Sequence, residues 1–128
     1  MKEWLAKIAV AAIAALSPIH AVMLSVGFLI LADLVTGIVA ARKRGEKVRS
    51  AAMRRTISKI LVYQLAVISG YLLEHYLMSD IMPVAKLVAG VIGMVEFKSI
   101  LENSNTIVGT DIFKSILQKL GSENDKKE

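Results

Sequence analysis

Apolar residues in this chain come in long, nearly unbroken runs. They show neither the alternation of a half-buried strand nor the narrow stripe of a soluble helix. From Ala21 to Ala41, twenty-one residues are interrupted only by Ser25, Asp33 and Thr36. As a helix this run rises about 31 Å, enough for a hydrocarbon core of about 30 Å. A second run, Ile57 to Leu77, tolerates Lys59 near its basic end and Gln64 inside. A third, from about Ile81 to Ile100, has Lys86 close to one end and Glu96 close to the other. The first run, Trp4 to Leu16, is apolar apart from Lys7. It reaches only about 20 Å unless it continues through Ser17 and Pro18 to His20. The pattern predicts an all-α integral membrane protein with three to four transmembrane helices, at about 4–20, 21–41, 57–77 and 81–100.

The first run has two readings. Lys2 and Lys7 ahead of Ile8 to Leu16, with small residues at Ala12 and Ala14, have the form of a signal peptide. The next apolar run starts within five residues, which favours an uncleaved thin span or an interfacial helix anchored by Trp4. At the other end, Ile112, Phe113, Ile116, Leu117 and Leu120 share a helical face opposite Lys114, Gln118 and Lys119, with Asp111 as helix starter. A short amphipathic helix over about 111–120 is expected, on the inner leaflet or a neighbouring subunit. Gly121 is expected to end it, leaving 122–128 as a charged cytoplasmic tail.

Composition supports the membrane class. Hydrophobic residues are 55% and aromatics 5% of 128, with a mean hydropathy of +0.56, too apolar and too aliphatic for an ordinary soluble domain. Residues 1–121 read as one transmembrane domain, and the loops cannot enclose a soluble catalytic core. Without cysteine there is no disulfide, thiolate chemistry or cysteine zinc site. His20 and His75 are the only histidines, and nothing supplies a third metal ligand beside Glu74 and His75. Neither an enzyme, nor a metal, nor a cofactor is expected.

Charge gives orientation. Arg42, Lys43, Arg44, Lys47, Arg49, Arg54, Arg55 and Lys59 stand against Glu46 alone, 8 − 1 = +7, so the loop over 42–56 is expected to be cytoplasmic. The connection at Met78, Ser79 and Asp80 has no Lys or Arg before Lys86, as an external loop should, and the C-terminus falls on the cytoplasmic side. A net charge of +5 and a pI near 9.6 would suit phosphate contacts. The loop lacks aromatic interleaving and any recognition motif, so no nucleic acid is expected. Its cations instead fix topology and touch anionic lipid, each worth about 1 kcal/mol near the surface.

Asp33 is then the informative residue. A carboxylate at mid-bilayer costs roughly 2.5 to 3.5 kcal/mol, so it faces protein or water. The eleven Leu, Ile, Val and Phe residues of its run offset this at about −0.3 to −0.6 kcal/mol each near the centre. Ala21, Ser25, Leu29, Asp33, Gly37 and Ala41 recur every four residues, flanked by Ala32, Thr36 and Ala40. Such small residues let helix backbones approach closely in lipid. Gln64, Tyr71, Glu74 and His75 share a broad side of the second run, with Ala66 and Gly70 as a small pair; Ala89, Gly90 and Gly93 precede Glu96 in the third. These polar positions are subunit contacts or the lining of a wet path. For Glu74 and His75, near the external end, interfacial solvation is the plainer reading.

Asp33-Leu34-Val35-Thr36-Gly37, a basic loop ending near Ser50, and Glu96-Phe97-Lys98-Ser99-Ile100-Leu101-Glu102-Asn103 followed by Gly109 carry a resemblance. They are similar to the D-x-x-T-G and E-x-x-S-I-x-E-N…G signatures of small phage holins related to the phi29 and clostridial toxin-secretion holins, over about residues 20 to 120. Thr110-Asp111 follows Gly109 where family members commonly have proline. The resemblance implies a homo-oligomer in the host bacterial cytoplasmic membrane. It would open lesions that collapse the membrane potential, or that pass an endolysin or another protein cargo, with an endolysin or a holin regulator as indirect partner. Asp33, Thr36 and Gly37, with Ser25, Gln64 and Glu74, would then form oligomer contacts or line the lesion. Glu96, Ser99, Glu102, Asn103 and Gly109 would organise the cytoplasmic exit of the last span and the turn into the terminal helix. Two other classes stay open: a small proton-coupled multidrug-type transporter and a non-permeabilising membrane scaffold. Against the transporter stand the lack of an internal repeat, the few aromatics and the strong loop bias.

Overall fold

Pro18 decides where the first helix stops. Lacking an N–H and clashing with the preceding turn, proline cannot continue a helix. Helix α1 (Lys2–Ala15) therefore closes before it, Ser17–Ile19 makes a single 3-10 turn, and α2 (His20–Lys43) starts afresh. The expected 4–20 segment is thus two pieces. At 14 residues, about 21 Å, α1 is shorter than a bilayer core and buries none of its residues. These elements belong to a computed structural model, which describes residues 2–124 apart from the side chains of Phe113 and Asn124. The charged tail beyond 124 lies outside the described residues, which include no strand.

Arg42 and Lys43 occupy the last turn of α2, where cations suit the negative end of the helix dipole. The chain reverses at Gly45, whose φ of 77° is a left-handed conformation that glycine adopts freely. Helix α3 (Ser50–Leu72) begins seven residues ahead of the apolar run expected from 57. Arg54 and Arg55 are good helix formers, so helical hydrogen bonding begins ahead of the apolar run. A π turn over Leu73–Leu77 extends α3 and is closed by the Met78 N–H donating to the Leu73 carbonyl at 2.9 Å.

Helix α4 (Val84–Val108) starts behind Pro83 and runs eight residues past the expected end at Ile100. Gly109 stops it with φ 78° and an N–H donated to the Asn105 carbonyl at 2.8 Å, a left-handed cap. Asp111 starts α5 (Ile112–Asn124) as expected, its Oδ1 accepting the Lys114 N–H at 3.0 Å. Asn105 Oδ1 accepts the Ile112 N–H at 2.8 Å, so side-chain caps build the turn at the position where proline is common. Gly121 does not end α5, contrary to expectation. A glycine inside a helix costs about 1 kcal/mol, which weakens the helix without stopping it.

Helices α2, α3 and α4 pack together around Ile19, Val26, Ile30, Val67, Tyr71 and Ala85. Lys59 bonds Asp33 and Gln64 bonds Met23, so α3 runs antiparallel to α2. Gly93 lies against Leu29 and Asn103 against Asp33, so α4 runs parallel to α2. Gly70 and Ala85 make the closest approach: a Cβ on Gly70 would lie 3.3 Å from the Ala85 Cα. The four-residue stripe on α2 does not all face inward. Each four-residue step turns about 40° past a full turn, so Asp33 and Gly37 are half-buried while Ala21 and Ser25 are exposed. The inward face follows Val26, Ile30, Asp33, Gly37 and Ala40 instead, alternating steps of four and three.

The outward faces are also apolar. Leu24, Phe28, Leu31, Leu61, Leu65, Val91 and Met94 are exposed, the all-round hydrophobicity of helices that meet lipid. Among the described residues, Ser17–Lys43 and Ser50–Leu77 are long and apolar enough to cross a membrane. Helix α4 has the length, about 37 Å, but carries Lys86, Glu96, Lys98 and Glu102.

Candidate functional site

Asp33, Thr36 and Gly37 stand at i, i+3 and i+4 of α2, hence on one face; Glu96, Ser99 and Asn103 stand at i, i+3 and i+7 of α4, also on one face. The packing of α2 against α4 turns these two faces toward each other, and α3 adds Lys59. Lys59 Nζ donates to Asp33 Oδ2 at 3.0 Å and to Glu96 Oε2 at 3.1 Å. Its distance to Glu96 Oε1 is also 3.1 Å, but that atom lacks hydrogen-bond geometry and is buried without a hydrogen-bond partner among the described residues. One ammonium therefore bridges two carboxylates on two other helices.

Asn103 completes the cluster. Its Nδ2 lies 3.2 Å from Asp33 Oδ1, 3.2 Å from Thr36 Oγ1 and 3.4 Å from the Asp33 carbonyl, so two N–H groups are divided among three acceptors. Thr36 Oγ1 in turn donates to the Ala32 carbonyl at 2.8 Å. A Cβ on Gly37 would lie 3.5 Å from Asn103 Nδ2, so the small residue keeps that carboxamide close to α2. Burial makes these contacts costly to break. The side chains of Glu96, Asp33 and Lys59 are 1%, 15% and 26% exposed, and removing one partner of such a pair strands a charge at a cost of about 3–5 kcal/mol.

The other expected positions are dispersed. Glu102 points away from the cluster, exposed, 3.8 Å from Lys98. Gly109 serves the end of α4. Gln64 Nε2 donates to the Met23 carbonyl at 2.8 Å, while its buried Oε1 has no partner among the described residues. Glu74 Oε2 accepts the Ala85 N–H at 2.7 Å, a carboxylate at the positive end of α4. His75 Nδ1 lies 3.1 Å from both Asp80 oxygens, at the exposed end. Ser25 is exposed, its hydroxyl donating to the Ala21 carbonyl at 2.7 Å.

The basic residues ring the opposite end of the bundle. Lys43 Nζ donates to the Ile107 carbonyl, tying the end of α2 to the end of α4. Arg44 grips Glu46 through Nε at 2.9 Å and Nη2 at 3.2 Å. That hydrogen bond raises the Arg44 pKa and holds the Glu46 carboxyl below its ordinary value. Arg42, Lys47, Arg49, Arg54 and Arg55 are exposed.

Sequence reasoning missed Lys59, counting it among the charges that orient the chain. The available signal was its position: nine residues into α3, one helix across from Asp33, where a flanking cation has no need to be. A sequence model of the bacteriophage holin family matches residues 11–122, a span that holds the whole cluster. No curated protein and no solved structure matches the chain.

Proposed function

Because this chain belongs to the bacteriophage holin family, a family of membrane proteins and not of enzymes, we propose that it assembles into homo-oligomers in the bacterial cytoplasmic membrane. There it permeabilises the bilayer, releasing or activating an endolysin for host lysis or passing a protein cargo. Helices α2, α3 and α4 cross the membrane, with the basic loop and the C-terminus in the cytoplasm. Glu96 is compatible with a third crossing because Lys59 compensates it, while Lys86, Lys98 and Glu102 lie nearer the ends of α4.

The observation that carries this reading is the Asp33–Lys59–Glu96 bridge. Both signatures and all three helices contribute to one buried polar cluster, and the outward faces are left apolar. In a single chain both carboxylates already have Lys59 as partner, so the bundle can accumulate without leaking. When helices part during assembly, Asp33, Thr36 and Asn103 become available to re-pair between chains or to line a wet lesion. The polar groups thus serve the resting bundle and the open one in turn.

The test is induced expression in bacteria while membrane potential and release of a cytoplasmic enzyme are followed. Loss of both fits wide lesions and loss of potential alone fits narrow ones. Retention of both rejects the proposal, and proton-coupled flux of one substrate without general leakage would favour a transporter.

A further inference from the structure

A crevice of about 970 Å³ opens between the end of α2 and the start of α3, with Arg44, Lys47, Arg49 and Arg55 at its mouth. Glu46 is the only carboxylate among the loop residues there, and Arg44 already holds it with two hydrogen bonds. Lys47, Arg49 and Arg55 make no ion pair among the described residues. The Asp33 carboxylate in the floor is paired with Lys59, which it shares with Glu96, so the floor keeps a single negative charge against the four cations of the mouth. No side chain caps the N-terminus of α3, which opens into the same mouth beside Ala51 and Ala52. Three cations without a salt bridge, of which Arg49 feels Glu46 only at longer range, and an uncapped helix start converge on one opening.

The walls say which anion. Leu34, Ile38 and Ala41 of α2 line the crevice inward from the cationic mouth. Small-molecule sites occupy roughly 300–1,000 Å³, so this volume far exceeds what one phosphate ion fills. The mouth also lies where α2 passes from apolar residues into Arg42-Lys43-Arg44, the level at which lipid head groups meet a transmembrane helix. We propose that this crevice is a discrete site for one anionic phospholipid of the cytoplasmic leaflet. Its phosphodiester sits among Lys47, Arg49 and Arg55, and its glycerol and upper acyl carbons lie along Leu34 and Ile38. A zwitterionic lipid is disfavoured because its own ammonium would meet the same three cations.

The site rests on the membrane orientation proposed above, but its test reads lipid retention and needs no permeabilisation. Full-length protein is purified from mixed micelles containing equal phosphatidylglycerol and phosphatidylcholine, washed in detergent and weighed by native mass spectrometry. One phosphatidylglycerol per chain is expected, with phosphatidylcholine lost. The variant Lys47→Gln/Arg49→Gln/Arg55→Gln should lose retention about tenfold or more, since each basic residue near an anionic surface contributes severalfold. The variant Arg42→Gln/Arg54→Gln/Lys119→Gln, with equal charge removed outside the crevice, should keep it. Arg55→Gln alone, with helicity checked by circular dichroism, gives the same direction if the triple variant does not fold. Equal retention of both lipids, equal loss in both triple variants, or displacement of the lipid by millimolar inorganic phosphate would each overturn the proposal. The last would make the crevice a free-phosphate site. Lipid retention without permeabilisation would instead count against the holin reading while leaving the site standing.

Discussion

The Asn103 carboxamide of α4 lies 3.2 Å from the Asp33 carboxylate of α2, joining two signature motifs seventy residues apart in the chain. Neither motif is complete alone. The aspartate finds its hydrogen-bond donors on α3 and α4, and the asparagine finds its acceptors on α2.

Lys59→Met removes the cation that compensates Glu96, whose side chain is 1% exposed. Stability in detergent should fall by about 3 kcal/mol, the lower end for a broken buried pair because Lys59 is partly exposed. Adding Glu96→Gln should restore more than half of the loss in thermal unfolding. An unchanged midpoint in the single variant would mean the bridge does not form in solution.

Asp33→Asn keeps an acceptor for Asn103 but gives up the charge that faces Lys59. The resting bundle should lose about 1.5–3 kcal/mol, the range for hydrogen bonds to charged groups. If that bundle restrains opening, depolarisation begins earlier than in the wild type at equal protein level. Unchanged onset would remove Asp33 from the permeabilising step.

Two glycines should respond oppositely. A Cβ on Gly70 meets backbone at 3.3 Å, whereas nothing lies within 4 Å of one on Gly90. Gly70→Val should cost about 1–3 kcal/mol by forcing α3 from α4. Gly90→Ala should gain up to about 1 kcal/mol from helix propensity. Detergent unfolding of the two variants side by side tests both.

Arg44 holds the Glu46 carboxyl below its ordinary value of 4.5. Since the folded value lies below the unfolded one, the pairing is fully present above about pH 4.5 and is lost as pH falls through the folded value. Carboxyl-carbon NMR should show Glu46 titrating below 4.5 and returning toward it in high salt or in Arg44→Gln. A Glu46 that titrates at its ordinary value would mean that the pair is open in solution.

The absence of cysteine makes topology simple to read. Ser79→Cys, in the turn between α3 and α4, should react with an impermeant maleimide from outside intact cells. Ser50→Cys should react only after the membrane is opened. Labelling of both from the same side would exclude a crossing by α3.

Helix α2 was legible because its apolar run and its hydrogen-bonded length nearly coincide, 21–41 against His20–Lys43. The ends of α3 and α4 were not, since helical hydrogen bonding continues where Arg54, Arg55, Glu102 and Asn103 make the sequence polar. Asp33 was recognisable as a residue in need of partners. Those partners depended on how three helices rotate about their axes, at about 100° per residue, and spacing within one helix does not fix that. Glu96 and Lys59 therefore read as end charges, although both lie well inside their helices. The amphipathic terminal helix was visible in outline, and the caps on Asn105 and Asp111 show why its start survives without proline.

Lys59 stands between carboxylates that belong to α2 and α4, and among the described residues no other cation pairs with either of them. While α3 is in place, its ammonium makes the facing of those two helices favourable. Drawn away, α3 would leave two like charges across the very contact it had sealed, so attraction would become repulsion. Displacing α3 would thus weaken the contact between the remaining two helices as well, so a disturbance of one helix would be felt by all three.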